Sequence, residues 1–325
     1  MPPENSTQNS TMHAVVQHRL GGGEVLAVET VPRPMPLPTE VLVRVHAAGI
    51  NPVDWKTREG HGMADVLGEP PFVLGWDVAG VVEEVGFGVT TLAVGDRVYG
   101  MPWFPRSAGA YAEYVTAPAR QLTLAPTSLS HAEAGAVPLA ALTAWQVLVD
   151  TLHLQPGQRV LITAGAGGVG HFAVQFARHL GAHVVATASA ANHEWLRELG
   201  ADEVVDYHDA GYETRITDMD AIVELVGGDE SPRLAGTLRP GGIIVAVPGG
   251  VSEELAAAVA EAGGRATAFL VEPDAPALAR IAELIDAGEV RVEVARTFPL
   301  EEVGRAHELG ETGRTRGKIV LTVDA

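Results

Sequence analysis

Residues 159–170 read Arg-Val-Leu-Ile-Thr-Ala-Gly-Ala-Gly-Gly-Val-Gly, an apolar strand running into a glycine turn with a helix-forming stretch directly behind it. A pyrophosphate needs backbone N–H groups converging at a helix N-terminus, and a Cβ at Gly167, Gly168 or Gly170 would hold the phosphates or the strand away. The surroundings sharpen the reading: Val174, Phe176, Ala177 and Leu180 recur at helical spacing, and His183-Val-Val-Ala-Thr187 supplies the second strand of a βαβ unit. A phosphate-loop ATPase shares the spacing of Gly165 and Gly170, but it needs Lys followed by Ser or Thr where this chain has His171-Phe172. An NAD-specific site places a carboxylate at the end of the second strand to bond the ribose 2′-OH. Here no Asp or Glu lies between His171 and His193, and the strand ends in Thr187-Ala188-Ser189, so a 2′-phosphate would meet no fixed negative charge. The expected cofactor is NADP(H).

A length of 325 residues accommodates two domains of ordinary size. The formal charge of −19 argues against nucleic acid or an anionic membrane surface as a partner. With no cysteine, the chain has no disulfide, no thiolate nucleophile, no iron–sulfur cluster and no Cys-ligated zinc. None of the twelve histidines falls in a His-Glu-x-x-His pattern, and Gly181 interrupts the pair His179 and His183, so no metal site is expected. Residues 1–11 read as a polar, disordered tail without a secretory signal, and no apolar run is long enough to span a bilayer; the expected location is cytoplasmic.

From Met12 to about Ala136 the pattern is of short strands, among them Glu40–Ala47, Val78–Val85 and Tyr111–Ala117, between Pro- and Gly-rich turns. From Thr143 it changes to strand–helix alternation: a helix near 143–152, strands near 159–163, 183–187, 203–205, 220–225 and 242–247, and a helix at Ala277–Ala287. That alternation predicts an α/β fold with a doubly wound parallel sheet. Strand signals return at Arg291–Phe298 and Gly317–Val323 around a helical Glu301–Glu311, which suggests that the chain end rejoins the first, β-rich domain.

Motifs spread over nearly the whole chain from Met12 coincide with one family: Ala48-Gly-Ile-Asn-Pro-Val-Asp54, Leu74-Gly-Trp-Asp-Val-Ala-Gly80, Val94-Gly-Asp-Arg-Val98, Tyr111-Ala-Glu-Tyr114, Leu142-Thr-Ala-Trp145, Ala164–Gly170 and Gly317-Lys-Ile-Val-Leu321. The chain resembles the zinc-independent quinone oxidoreductases of the medium-chain dehydrogenase/reductase family, the zeta-crystallin-like group. The resemblance implies a GroES-like catalytic domain, residues 12–138 with 289–325, around a Rossmann NADP(H)-binding domain, residues 139–288, with the active site between them. In zinc-dependent relatives the first two metal ligands would fall at Asn51 and Trp76, neither of which replaces a thiolate or an imidazole.

The expected reaction is hydride transfer from NADPH to a quinone or an α,β-unsaturated carbonyl compound, acceptors that spread the arriving charge over their own conjugated oxygen. Asn51 is the candidate donor to that oxygen, and Asp54 the residue that orients its loop or relays a proton. Trp55, Trp103 and Phe104 are candidate apolar walls against a flat ring. By resemblance, Thr143, Val247 and Pro248 lie near the nicotinamide, Gly165, Gly167, Gly168, Val169 and Gly170 near the pyrophosphate, and Ser189, Asn192, His193 and Tyr207 near the 2′-phosphate. Ala190 and Ala191 stand where many relatives carry Lys or Arg. Two other readings keep the fold: an enoyl-thioester reductase with a larger pocket, and a non-catalytic NADPH-binding or sensor protein. A homodimer paired through the strand Arg265–Val271 is expected from the resemblance.

Overall fold

A computed structural model describes residues 11–323. Six strands pair in parallel in the spatial order Glu203–Val205, His183–Thr187, Arg159–Ile162, Met219–Glu224, Leu238–Ala246 and Arg265–Ala268. The order reverses beside Arg159–Ile162, and the glycine turn leaves the carboxyl end of that strand at the switch point, where doubly wound sheets bind their ligands. Side chains alternate along the strand into two separate cores: Val160 and Ile162 face Phe172, Phe176 and Leu142, while Leu161 faces Ile222, Ile244 and Leu255. A sheet covered on both faces explains why these strands read as continuous apolar runs.

The second sheet joins both ends of the chain. Val294–Pro299 pairs with Lys318–Thr322, which lies antiparallel to Glu40–Ile50, followed outward by Val78–Val85, Arg97–Gly100 and Leu122–Leu124; Tyr114–Pro118 also pairs with Glu40–Ile50. The register of Ile319 on Ile50 sets Lys318 beside the end of that strand, just before Asn51. A smaller sheet of Leu26–Pro32, Thr11–Gln17 and Phe72–Val73 packs on the same core.

Several boundaries move from their expected places. Thr11 begins a strand, one residue inside the anticipated tail; the rest of that tail lies outside the described residues. The helix expected near 143–152 starts at Pro138, because Pro is well suited to a first helical position, and continues from Gln146 into a wider turn over Val147–Thr151. The proposed boundary at 138/139 thus falls at the start of a helix. The strand expected at Tyr111 begins at Tyr114, leaving Tyr111 fully buried against Leu74 and Gly75. Among the described residues no helix is long and apolar enough to cross a membrane.

Candidate active site

Between the two sheets lies a cleft of about 440 Å³. One wall is the glycine turn from Gly167 to Gly170 with Leu225, Val247, Pro248 and Thr143; the facing wall is Asn51, Val53, Trp55, Phe104 and Lys318.

The turn is built tightly where it must be. A Cβ at Gly170 would lie 2.2 Å from the Ala164 carbonyl oxygen and 2.8 Å from the Gly165 Cα, so only glycine lets the helix Gly170–His179 start this close to the strand. At Gly167 the nearest atom to an added Cβ is the same carbonyl at 3.2 Å, and nothing else lies within 4 Å. Among the described residues the N–H groups of Gly168, Val169 and Gly170 find no protein acceptor. Three free donors at the N-terminus of a ten-residue helix form an anion cradle of the size a pyrophosphate requires. His171 holds the turn from behind: burial pushes its pKa down to about 4, and its Nδ1–H donates to the Gly167 carbonyl at 3.0 Å. We expect Gly170→Ala to force this helix away from the strand, weakening NADPH binding at least about tenfold and costing about 1–3 kcal/mol of stability. Fluorescence titration and thermal melting measure the two effects.

Asn51 ends the strand Glu40–Ile50 and caps the helix Pro52–Arg58, whose first residue is Pro52. Its own N–H donates to Asp54 Oδ2 at 2.6 Å. Its side chain Nδ2 donates to Asp77 Oδ2 at 2.8 Å, and its Oδ1 accepts from Lys318 Nζ, which also donates to the Ile50 carbonyl at 2.8 Å. Asp77 Oδ1 accepts in turn from the Leu139 N–H at 2.7 Å. All four side chains are buried. Burial pushes the Lys318 pKa down and the Asp77 pKa up, and the attraction between the two opposes both shifts. Asp54 does not reach the cleft: it is fully buried, bonded to the Asn51 N–H, and has no direct path to an acceptor.

Of the remaining candidates, Thr143 lines the cleft with its hydroxyl donated to the Leu139 carbonyl at 2.7 Å, which leaves the oxygen as an acceptor. Val247 and Pro248 line it as well. Trp103 does not, because its indole N–H is turned to the Thr116 carbonyl at 2.8 Å. Gly165 lies behind the turn, where its N–H donates to the Thr187 carbonyl. Ser189, Asn192, His193 and Tyr207 are also off the cleft wall. Asn192 Nδ2 donates to Ser189 Oγ at 3.2 Å and His193 bonds the Ala188 carbonyl at 3.1 Å, so these three form one turn, while Tyr207 is exposed against His208.

Three residues were missed by sequence reasoning: Asp77, which stands only inside the Leu74–Gly80 motif, Lys318 and Asp206. Lys318 was signalled only as the lone cation of an apolar strand, Lys-Ile-Val-Leu. Asp206 stands one position beyond the third strand, where its Oδ2 accepts from the Ala190 N–H at 3.0 Å. It brings a fixed negative charge to the Ser189 turn, which corrects the expectation that a 2′-phosphate would meet none there. At the positions of the zinc ligands of relatives, Asn51 offers an amide already bonded on both ends, and the Trp76 indole N–H donates to the Arg106 carbonyl at 2.7 Å. An indole nitrogen has no lone pair to give a metal.

Residues 37–127 match the alcohol dehydrogenase GroES-like domain, and residues 199–321 match a family described as zinc-binding dehydrogenase. The NAD(P)H oxidoreductase RTN4IP1, mitochondrial, of Danio rerio is 32% identical over 98% of this chain and 93% of its own length. A 2-haloacrylate reductase of Burkholderia sp is 33% identical over 96% of this chain and 99% of its own. The chain belongs to the quinone oxidoreductase-like branch of the medium-chain dehydrogenase/reductase family. Among solved members, the quinone oxidoreductase of Coxiella burnetii superposes with a TM-score of 0.92 at 38% identity, covering 97% of this chain and all (100%) of that one. The Escherichia coli quinone oxidoreductase complexed with NADPH has a TM-score of 0.87 at 28% identity, covering 95% and 99%. The GroES-like and Rossmann architecture expected from the sequence is thus that of the family.

Proposed function

We propose that the protein is an NADPH-dependent reductase of quinones and α,β-unsaturated carbonyl compounds, in which Asn51 donates a hydrogen bond to the acceptor oxygen. The observation that carries this reading is the Asn51 amide among Val53, Trp55 and Phe104 on the cleft wall that faces the glycine turn. NADPH, when bound, supplies hydride from its nicotinamide; Gly168, Val169 and Gly170 would hold its pyrophosphate, and Ser189, Asn192 and His193 its 2′-phosphate. Trp55 and Phe104 exclude water and hold a flat ring, which brings donor and acceptor to contact distance. The family matches named for NAD(P)H, for a quinone and for a haloacrylate, itself a conjugated acid, support this class of acceptor. We also propose a homodimer paired through Arg265–Ala268, which is the edge strand of its sheet.

Oxidation of NADPH followed at its absorbance, with a panel of small quinones and a panel of enones, tests the proposal. Turnover with either panel, with NADPH as the reductant, is the expected result. Silence with both panels would leave a nucleotide-binding protein, and activity confined to acyl thioesters would favour the larger-substrate reductase. Against the latter, among the described residues Lys56 is the only cation on the cleft wall apart from the buried Lys318, too little charge to dock an acidic carrier. Asn51→Ala should lower kcat/KM for the acceptor about a hundredfold while NADPH affinity stays within about twofold, since the lost donor acts on developing charge only.

A further inference from the structure

A primary amide has two ends of nearly equal size, and nothing in its shape decides which one faces a substrate. Around Asn51 the decision is made by charge. An ammonium can only donate and a carboxylate can only accept, and Lys318 Nζ meets the Asn51 oxygen while Asp77 Oδ2 meets its Nδ2, so the amide lies with its oxygen toward Lys318 and its NH₂ toward Asp77. Rotating the amide by half a turn would set donor against donor and acceptor against acceptor in a site closed to water. Exposures of 1% at Asn51, 0% at Asp77 and 3% at Lys318 leave no solvent to repair such a mismatch.

We infer that Lys318 and Asp77 are positioning residues that lock the Asn51 amide with its NH₂ group as the donor for the acceptor oxygen. The inference rests on the donor role proposed for Asn51. Asp77 uses one Nδ2 hydrogen; the second has no protein acceptor among the described residues, and Asn51 lines the cleft. The lock is itself held from outside. Asp77 is fixed by the Leu139 N–H at the start of the helix that carries Thr143, and a Cβ at Gly49 would lie 2.4 Å from Asp77 Oδ2, so glycine is required for the carboxylate to approach. The Lys318 stem runs beside the nucleotide turn, where a Cβ at Gly168 would lie 3.0 Å from its Cδ. Four stretches far apart in sequence therefore converge on the orientation of one amide. Lys318 Nζ commits two of its three hydrogens to the Ile50 carbonyl and Asn51 Oδ1 and lies 3.7 Å from Asp77 Oδ2. An ammonium on the amide oxygen also polarises the N–H groups, making them stronger donors.

The test is a double-mutant cycle of Lys318→Met and Asn51→Ala, read as kcat/KM for an enone or quinone at saturating NADPH, with NADPH affinity measured separately. In the wild-type background Lys318→Met should lower kcat/KM about tenfold or more with NADPH affinity little changed; in the Asn51→Ala background the same change should cost less than about twofold. Equal losses in both backgrounds, or weakened NADPH binding with acceptor turnover intact, would overturn the inference. Should Lys318→Met leave Asp77 too poorly compensated to fold, Lys318→Met/Asp77→Asn removes both charges and takes its place in the cycle. Wild-type turnover by that double variant would equally overturn the lock. Wild-type turnover by Asn51→Ala alone would instead refute the donor role on which the inference rests, so the two failures are told apart.

Discussion

Replacing Arg58 with methionine is expected to lower the free energy of unfolding by about 3 kcal/mol, read as a shift in the urea midpoint. Arg58 is the last residue of the helix that Asn51 caps, and only 1% of it is exposed. Its Nε–H donates to the Gly21 carbonyl at 2.9 Å, one terminal nitrogen meets His307 Nδ1 at 3.2 Å, and the other meets Glu59 and Glu311 at 2.6 and 2.7 Å. The two glutamates are 42% and 33% exposed and can rehydrate, so their ion pairs contribute little. The cost comes instead from the Gly21 carbonyl and the imidazole, which lose a charged donor where water does not reach. Burial first, and then the Arg58 charge, holds the His307 pKa down at about 3, so the ring is neutral. Its Nδ1 accepts from Arg58, and its Nε2–H therefore donates to the Tyr111 hydroxyl oxygen at 3.3 Å. Because the same guanidinium fastens the Asn51 helix to the helix Val303–Glu311, acceptor turnover should fall as well, while the nucleotide turn across the cleft keeps its affinity. A variant with an unchanged urea midpoint would show that the methylene stem alone carries the packing.

The difference between what could be read from the residues and what could not follows the range of the interactions. The glycine turn is legible because strand, turn and helix are adjacent in sequence and each glycine answers a local steric demand, as the 2.2 Å approach at Gly170 shows. The parallel strands are legible because burial on both faces makes them uniformly apolar. The Asn51-Pro52-Val53-Asp54 motif stands out in the sequence, but its place at the start of the helix Pro52–Arg58 does not, because the surrounding pattern reads as short strands and turns. Lys318 and Asp77 are different: they lie 241 positions apart, and the register of Ile319 on Ile50 is what brings them to one amide. No local pattern announces a buried lysine whose partners come from the other end of the chain. Asp206 escaped for a related reason. The carboxylate is expected at the end of the second strand, but parallel pairing puts the end of the third strand beside the same turn. Trp103 erred in the opposite direction, since an aromatic residue near a cleft motif can satisfy its indole elsewhere, and here the Thr116 carbonyl takes it.

Asp54→Asn is expected to be more stable than the wild type at pH 8, by about 2 kcal/mol, and nearly equal to it at pH 5. The Asp54 carboxyl is fully buried and its Oδ1 has no hydrogen-bond partner among the described residues. Burial, only partly offset by the Asn51 N–H, the Tyr111 hydroxyl and the Lys318 charge, raises its pKa from 3.8 to about 7. The folded state therefore holds this proton more tightly than the unfolded chain. Below pH 4 both states are protonated and the group has no effect on stability. As the pH rises toward 7 the unfolded chain releases the proton first, so stability is lost across that interval, and above 7 the loss levels off near about 4 kcal/mol. An asparagine keeps an acceptor for the Asn51 N–H and carries no charge; its own buried NH₂ offsets part of the gain, which leaves about half of it. Thermal or urea melts of the two proteins at several pH values measure the gap, which should widen from pH 5 to 8 and then hold constant. A gap that stays flat would mean that Asp54 is already ionised in the fold at pH 5. The same proton lies one hydrogen bond from Asn51, so acceptor kcat/KM in the wild type should bend near pH 7, and that bend should be absent from Asp54→Asn.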